Sequence, residues 1–175
     1  MTSDLTAEIP AWVDGVLTPV GKLETHKRGL KHPAVSVMIF SGDEMLIQRR
    51  AMGKYHTPGL WANACCTHPF WGEDPALCAA RRLDEELGVS GLSLDHTAQL
   101  EYRAEVGGGL IEHEVVDLFV ARADKNLPVR PNPQEVMDWR WVPLEKLHAE
   151  MDATPDLFTP WFRIYLRDYA GAQGM

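Results

Sequence analysis

Cysteine is scarce in this chain: three residues in 175, two of them the adjacent Cys65 and Cys66. That number excludes a disulfide framework, and the three read as thiols. Cys78, inside a helical pattern, is most simply a small buried residue. Positive charge is also in short supply, with 17 Lys and Arg against 25 Asp and Glu and a formal net charge of −8. A broad nucleic-acid-binding surface needs the opposite balance, so no nucleic acid partner is expected. A small anion held at short range by a few basic groups stays open. No apolar run approaches the roughly 20 residues that cross a bilayer. The first ten residues, MTSDLTAEIP, lack the basic and apolar regions of a secretory signal. The expectations are therefore a cytoplasmic protein with no membrane partner. Repeats, low-complexity tracts and linkers are absent too, and with 45% hydrophobic residues the chain, 1–175, reads as a single domain able to bury a substantial core.

What is present concentrates in residues 61–89, WANACCTHPFWGEDPALCAARRLDEELGV. Asp74-Pro75 predicts a helix start, because the Asp side chain can cap free N–H groups and proline loses nothing at the first helical position. Gly88 predicts its end. Ala76, Ala80, Leu83 and Leu87 recur at helical spacing as an apolar stripe, with Arg82 and Glu86 four apart beside it. By itself this charged flank reads as a solvated face with ion pairs. In the run before it, extended geometry places Cys66 and His68 on one face and Cys65 on the other. Cys66 is the candidate reactive thiol. Beside a metal-bound imidazole and positive groups it would ionise more readily, whereas a thiol buried among apolar groups would be inert.

The rest of the chain supplies further polar groups. Residues 11–24 read as a hairpin around Asp14-Gly15 and Pro19, with no chemistry assigned. His26 and His32 flank a basic loop that leads into the strand PAVSVMIF; a pair of loop histidines gains meaning only if other ligands exist. Two strands follow around Ser41-Gly42-Asp43, ending in Gln48-Arg49-Arg50-Ala51-Met52-Gly53-Lys54. That cluster is either an exposed strand end or an anion site in which Arg50 and Lys54 hold phosphate oxygens. Residues 95–121 form another hairpin around Gly107-Gly108-Gly109. Its second strand points Glu112 and Glu114 to the side that carries Val116 and Leu118. Two carboxylates on a core-facing side are costly unless paired or bound to metal; the alternative is an edge strand open to solvent. Residues 135–142 suggest a short strand, and Pro143 precedes a helix. Thr159-Pro160-Trp161 opens a last helix with Phe162, Tyr165, Leu166 and Tyr169 as its apolar stripe and Trp161 off it.

Glu73, seven residues, then Arg81, Leu83, Glu85, Glu86, Gly88 and Val89 resemble the Nudix box, whose glutamates hold divalent cations against a diphosphate. Thr67 stands where the box has its first glycine and Arg82 where it has a glutamate, which argues against ordinary Nudix hydrolysis. With the paired histidines, QRRAMGK, PGLWANACCTHP, LEYRAEV, IEHEV and DATPDLFTPW, the chain from about Val13 to Trp161 resembles the type I isopentenyl-diphosphate isomerases, a Nudix-fold family that commonly replaces those two positions.

The resemblance implies an α+β fold, a Nudix-like α/β/α sandwich with a mixed central sheet. It implies that His26, His32, His68, Glu112 and Glu114 hold one divalent metal, Mn²⁺ or Mg²⁺ with Zn²⁺ also open. Three imidazoles and two carboxylates suit a transition ion better than Mg²⁺. Glu86 would help hold a second Mg²⁺ completed by the substrate diphosphate, and Arg50, Lys54 and Arg82 would bind that diphosphate, with Lys22 or Lys27 as a further lysine upstream. Cys66 and Glu114 would be the acid/base groups, Tyr102 would relay or orient a proton, and Trp161 would stabilise a carbocation through its π face. The implied partner is a small homoallylic or allylic diphosphate, and the implied state a monomer or weak homodimer. Two other readings compete: a Nudix hydrolase of a nucleoside or other diphosphate, and a non-catalytic metal-binding module built on the histidines and Cys65/Cys66.

Overall fold

The structure is a computed structural model that describes residues 7–168. Strands β1 (Glu8–Val13) and β2 (Val16–Gly21) form a hairpin and a sheet of their own, turning through Asp14-Gly15. The chain then enters helix α1 (Lys22–Arg28), closed by Gly29 in the left-handed conformation. His26 therefore lies in a short helix rather than a loop, and His32 already belongs to β3 (Lys31–Ser41). Gly29 makes the reversal: its φ of +61° favours glycine, and its position turns the helix end directly into the strand.

The main sheet has seven strands. β3, β4 (Glu44–Arg50), β5 (Trp61–Asn63), β6 (Cys65–Thr67), β7 (Asp95–Gly107), β8 (Leu110–Arg122) and β9 (Val136–Pro143) build it in the order β5-β4-β3-β8-β7, with β6 on β3 and β9 on β4. β3 and β8 run parallel and the other pairs antiparallel, so the sheet is mixed. The run from Trp61 to His68 does not continue as one strand: it breaks at Ala64, pairing first with β4 and then with β3.

Both faces of the sheet are covered, as the sequence of β3 shows. Ala34, Met38 and Phe40 join one apolar cluster, whereas Val35, Val37 and Ile39 join the other, the period-2 alternation of a strand buried on both sides. Helix α2 (Pro75–Leu87) covers the second face; α3 (Leu144–Ala153) and α4 (Pro160–Asp168) belong to the first. Each fully buried Leu, Ile, Val or Phe stabilises this sandwich by roughly 1.5–3 kcal/mol.

The capping prediction for α2 holds: Asp74 accepts from the N–H groups of Ala76 and Leu77, and Gly88 closes the helix at φ +61°. Its apolar stripe is rotated from the predicted one. Cys78, Ala79, Leu83, Glu86 and Leu87 are buried while Ala76 and Ala80 are exposed, because the sheet beneath decides which small residues are covered. In α4 the buried residues are Trp161, Phe162, Tyr165 and Leu166, so Trp161 lies on the stripe rather than off it. Tyr169 lies outside the described residues.

Candidate active site

The register of three strands sets out one side of the site. His32 of β3 pairs with Glu114 of β8, which pairs in turn with Tyr102 of β7. Glu112 lies two residues along β8 on the same face, and both carboxylates are buried, at 2% and 0% exposure. β8 is an inner strand between β3 and β7, so the solvent-exposed edge is not their explanation. The Tyr102 hydroxyl lies 2.8 Å from Glu112 Oε2 and 2.7 Å from Glu114 Oε2. His68, just beyond β6, brings Nε2 to 2.9 Å from Glu114 Oε1, and His32 Nε2 lies 3.5 Å from the same oxygen.

Helix α1 delivers His26 to this group. The Nδ1–H of His26 donates to the Lys22 carbonyl at 2.7 Å, and that of His32 donates to the Leu30 carbonyl at 2.7 Å. In both rings Nε2 is left as a buried lone pair with no hydrogen-bond partner, the state in which a histidine binds a metal. Burial and the neighbouring His32 push His26 down to about 4. His68 is held well below its ordinary value by burial and by Lys22, His32 and His26. Both shifts favour the neutral imidazole at His26 and His68. Ligand atoms of His26, His32, His68 and Glu114 all lie within 4.8 Å of one another, and so do those of His26, His56 and Glu112. This His/Glu cluster fits a metal ion: the buried Nε2 lone pairs of His26 and His32 have no hydrogen-bond partner and stand beside two buried carboxylates.

The basic groups converge next to it. Lys22, Arg50, Lys54 and Arg82 line the same cleft as Cys66, His68, Glu86, Glu112, Glu114 and Trp161. Of the two lysines the sequence left open, Lys22 is the one in the site; Lys27 is exposed. Burial, then Lys54, Arg82 and Arg50, push Lys22 down to about 8. Arg82 binds Glu86 Oε1 at 2.6 Å and Glu85 at 2.7 Å, and Gln48 donates to Glu86 Oε2 at 2.8 Å. Burial alone would raise Glu86, but Arg82, Lys54 and Gln48 outweigh it and hold the carboxyl below its usual range. Glu73 is instead engaged by Arg81 through two bonds of 2.7 and 2.8 Å, and Glu85 is shared between Arg82 and Arg81, the latter at 3.2 Å.

The thiol face follows the predicted alternation: Cys66 packs with the first apolar cluster and Cys65 is sealed in the second. Cys66 Sγ lies 3.7 Å from the Tyr165 hydroxyl. Burial, then Glu114 and Glu112, push the thiol well above its ordinary value. Burial and these two carboxylates thus favour the protonated thiol. Glu114 is held below its usual range, since His32, Tyr102 and His26 overcome its burial. Trp161 is 1% exposed, with the Arg50 guanidinium 5.2 Å from its ring centre.

Three residues of the site escaped the sequence reading. Glu135, buried at 3%, pairs with Lys54 and lies 3.5 Å from Arg82. Tyr165 was read only as helix packing. His56, buried at 5%, places Nε2 3.2 Å from Glu112 Oε1. The sequence signal for His56 was its place in the turn before the central stretch, but nothing there shows that the turn folds inward.

The Nudix domain model matches residues 30–162. The chain is similar to solved structures of this fold: DR0079 from Deinococcus radiodurans, at a TM-score of 0.72 and 16% identity over 93% of this chain and 99% of that one, and a Nudix hydrolase from M. smegmatis, RenU, at 0.62 and 17% over 96% and 94%. The chain belongs to the Nudix domain family. It is also 62% identical to the isopentenyl-diphosphate Delta-isomerase of Dinoroseobacter shibae, over 93% of this chain and 92% of that protein. With that of Cereibacter sphaeroides the identity is 63%, over 92% and 91%. Within the Nudix fold it therefore falls among the isopentenyl-diphosphate Delta-isomerases.

Proposed function

We propose that this chain interconverts isopentenyl and dimethylallyl diphosphate, supplying isoprenoid synthesis in the cytoplasm. Identity of about three fifths to named isomerases along nine tenths of the chain carries the reading. The site supports it: a basic cradle and a buried pair of proton-exchanging groups line one cleft.

The reaction adds a proton to the terminal alkene carbon and removes one from the carbon nearer the diphosphate, through a tertiary carbocation, with no net change in atoms. Lys22, Arg50, Lys54 and Arg82 hold the diphosphate, and its binding energy positions the hydrocarbon. Glu86 would help hold a Mg²⁺ carried with that diphosphate. Cys66 and Glu114 are the acid/base pair, with the Tyr102 hydroxyl orienting Glu114. Trp161 faces the developing positive charge, an interaction worth roughly 2 kcal/mol or more when desolvated. The apolar cluster around Cys66 excludes water from the cation.

His26, His32, His68, Glu112 and Glu114 would hold a divalent ion, Mn²⁺ or Mg²⁺ with Zn²⁺ also open. Bound there, it would fix the orientation of both carboxylates and tune their basicity. Isopentenyl diphosphate incubated with the protein and Mg²⁺ in D₂O tests the reading. Proton NMR should show deuterated dimethylallyl diphosphate, while phosphorus spectra show the diphosphate intact. Phosphate release without alkene migration would replace it with diphosphate hydrolysis.

A further inference from the structure

The His/Glu cluster contains a fourth imidazole. His56 sits in the loop between β4 and β5, yet it is 5% exposed and its ring lies 5.8 Å from that of His26 and 5.7 Å from that of Trp161. Its Nε2 is 3.2 Å from Glu112 Oε1, and ligand atoms of His26, His56 and Glu112 lie mutually within 4.8 Å. His26 is common to this group and to the group of His26, His32, His68 and Glu114. Its Nδ1 is committed to the Lys22 carbonyl, which leaves the one Nε2 lone pair. That one Nε2 is the atom the two groups share, so an ion held by it would lie beside both. We propose that His56 is a ligand of the same divalent cation as His26, His32, His68, Glu112 and Glu114.

The loop is built to deliver this ring. Thr57 has φ +46°, in the left-handed region that a β-branched residue rarely adopts, and it is buried. Such a backbone persists only where its surroundings hold it. Here the Arg50 guanidinium donates to the His56 carbonyl at 3.1 Å, and the Gly59 N–H donates to the Arg50 carbonyl at 3.0 Å. The Thr57 hydroxyl lies 3.0 Å from His56 Nδ1. When Nδ1–H donates to that hydroxyl, Nε2 turns a lone pair toward the Glu112 carboxylate, and two electron-rich atoms at 3.2 Å need a cation between them. In the other tautomer Nε2–H donates to Glu112, and His56 only orients that ligand.

Six donor side chains would fill a six-coordinate ion and leave no position for water. That suits an isomerisation, which uses no water nucleophile, and four imidazoles favour a transition ion over Mg²⁺. The inference rests on the metal centre of the proposed function and not on turnover.

The test is X-ray absorption at the metal edge of the full chain reconstituted with Co²⁺, in the wild type, His56→Gln and the control His96→Gln at an exposed histidine. Glutamine keeps an N–H that can reach Glu112. Four imidazoles per Co²⁺ in the wild type and in His96→Gln, falling to three in His56→Gln, is the expected result. Co²⁺ affinity of His56→Gln, measured against a chromophoric chelator, should fall by more than the roughly 10- to 100-fold that loss of an outer-shell partner costs. Three imidazoles in the wild type would overturn the inference even if the variant failed to fold, and would leave the metal centre standing. Failure of the wild type to bind Co²⁺ would overturn both.

Discussion

The Tyr102 hydroxyl lies 2.7 Å from Glu114 Oε2, in a row where β7 and β8 place the two residues directly opposite. The same oxygen is 2.8 Å from Glu112 Oε2. A phenol carries one hydrogen, so it holds both carboxylates in place while donating to one at a time. Tyr102→Phe removes that restraint and leaves the packing. A hydrogen bond to a charged group contributes about 1.5–3 kcal/mol, so kcat should fall about 10- to 100-fold. KM should hold, because the hydroxyl lies away from the basic cradle. Steady-state kinetics that show the loss in KM instead would remove Tyr102 from the proton pathway.

Cys66→Ala and Glu114→Gln should each nearly abolish turnover while circular dichroism and binding of inorganic pyrophosphate stay near wild type. The two side chains reach the cleft from different strands, β6 and β8, and neither contributes to the cradle. Turnover close to normal in either variant would take that residue out of the acid/base pair.

Lys22 gives the diphosphate affinity a pH dependence. Burial and three neighbouring cations push it down to about 8, so its charge is present below that value and lost as pH rises through it. Lys22→Gln should bind inorganic pyrophosphate about 10- to 100-fold more weakly near pH 7, the scale of one charged hydrogen bond. The gap from wild type should narrow toward pH 9, as the wild-type lysine discharges. Calorimetry that finds the same gap at both pH values would show that Lys22 does not titrate in this range.

Glu135 and Lys54 form a pair whose side chains are 2% and 9% exposed, and Arg82 stands 3.5 Å away. Removing one partner of a buried pair leaves the other charge uncompensated, so Glu135→Ala should cost about 3–5 kcal/mol in urea unfolding. Saturating pyrophosphate should restore more stability to this variant than it adds to wild type, since its charge takes the place of the lost carboxylate. Equal stabilisation of both would mean that Glu135 does not share its cations with the diphosphate.

The reach of sequence reading is plain in particular residues. Asp74, Pro75 and Gly88 bounded α2 correctly because caps act within a few residues. The alternation on β8 placed Glu112 and Glu114 inward, since strand period is a local property. The α2 stripe was harder: Ala76 and Ala80 fit the helical period as well as Cys78 and Ala79 do, and only the sheet beneath decides which small residues are covered.

By itself, the sequence determined the bounds of α2, the inward face of β8 and the family, because capping, strand period and residue order are carried along the chain. The tertiary structure alone decided which side chains meet. It chose Lys22 over Lys27, turned Trp161 inward, set Glu135 against Lys54, brought His56 to Glu112 and set the Cys66 thiol beside carboxylates that push it above its ordinary value. These relationships depend on burial and on charges from distant segments. Neither quantity exists until the sheet has closed around them.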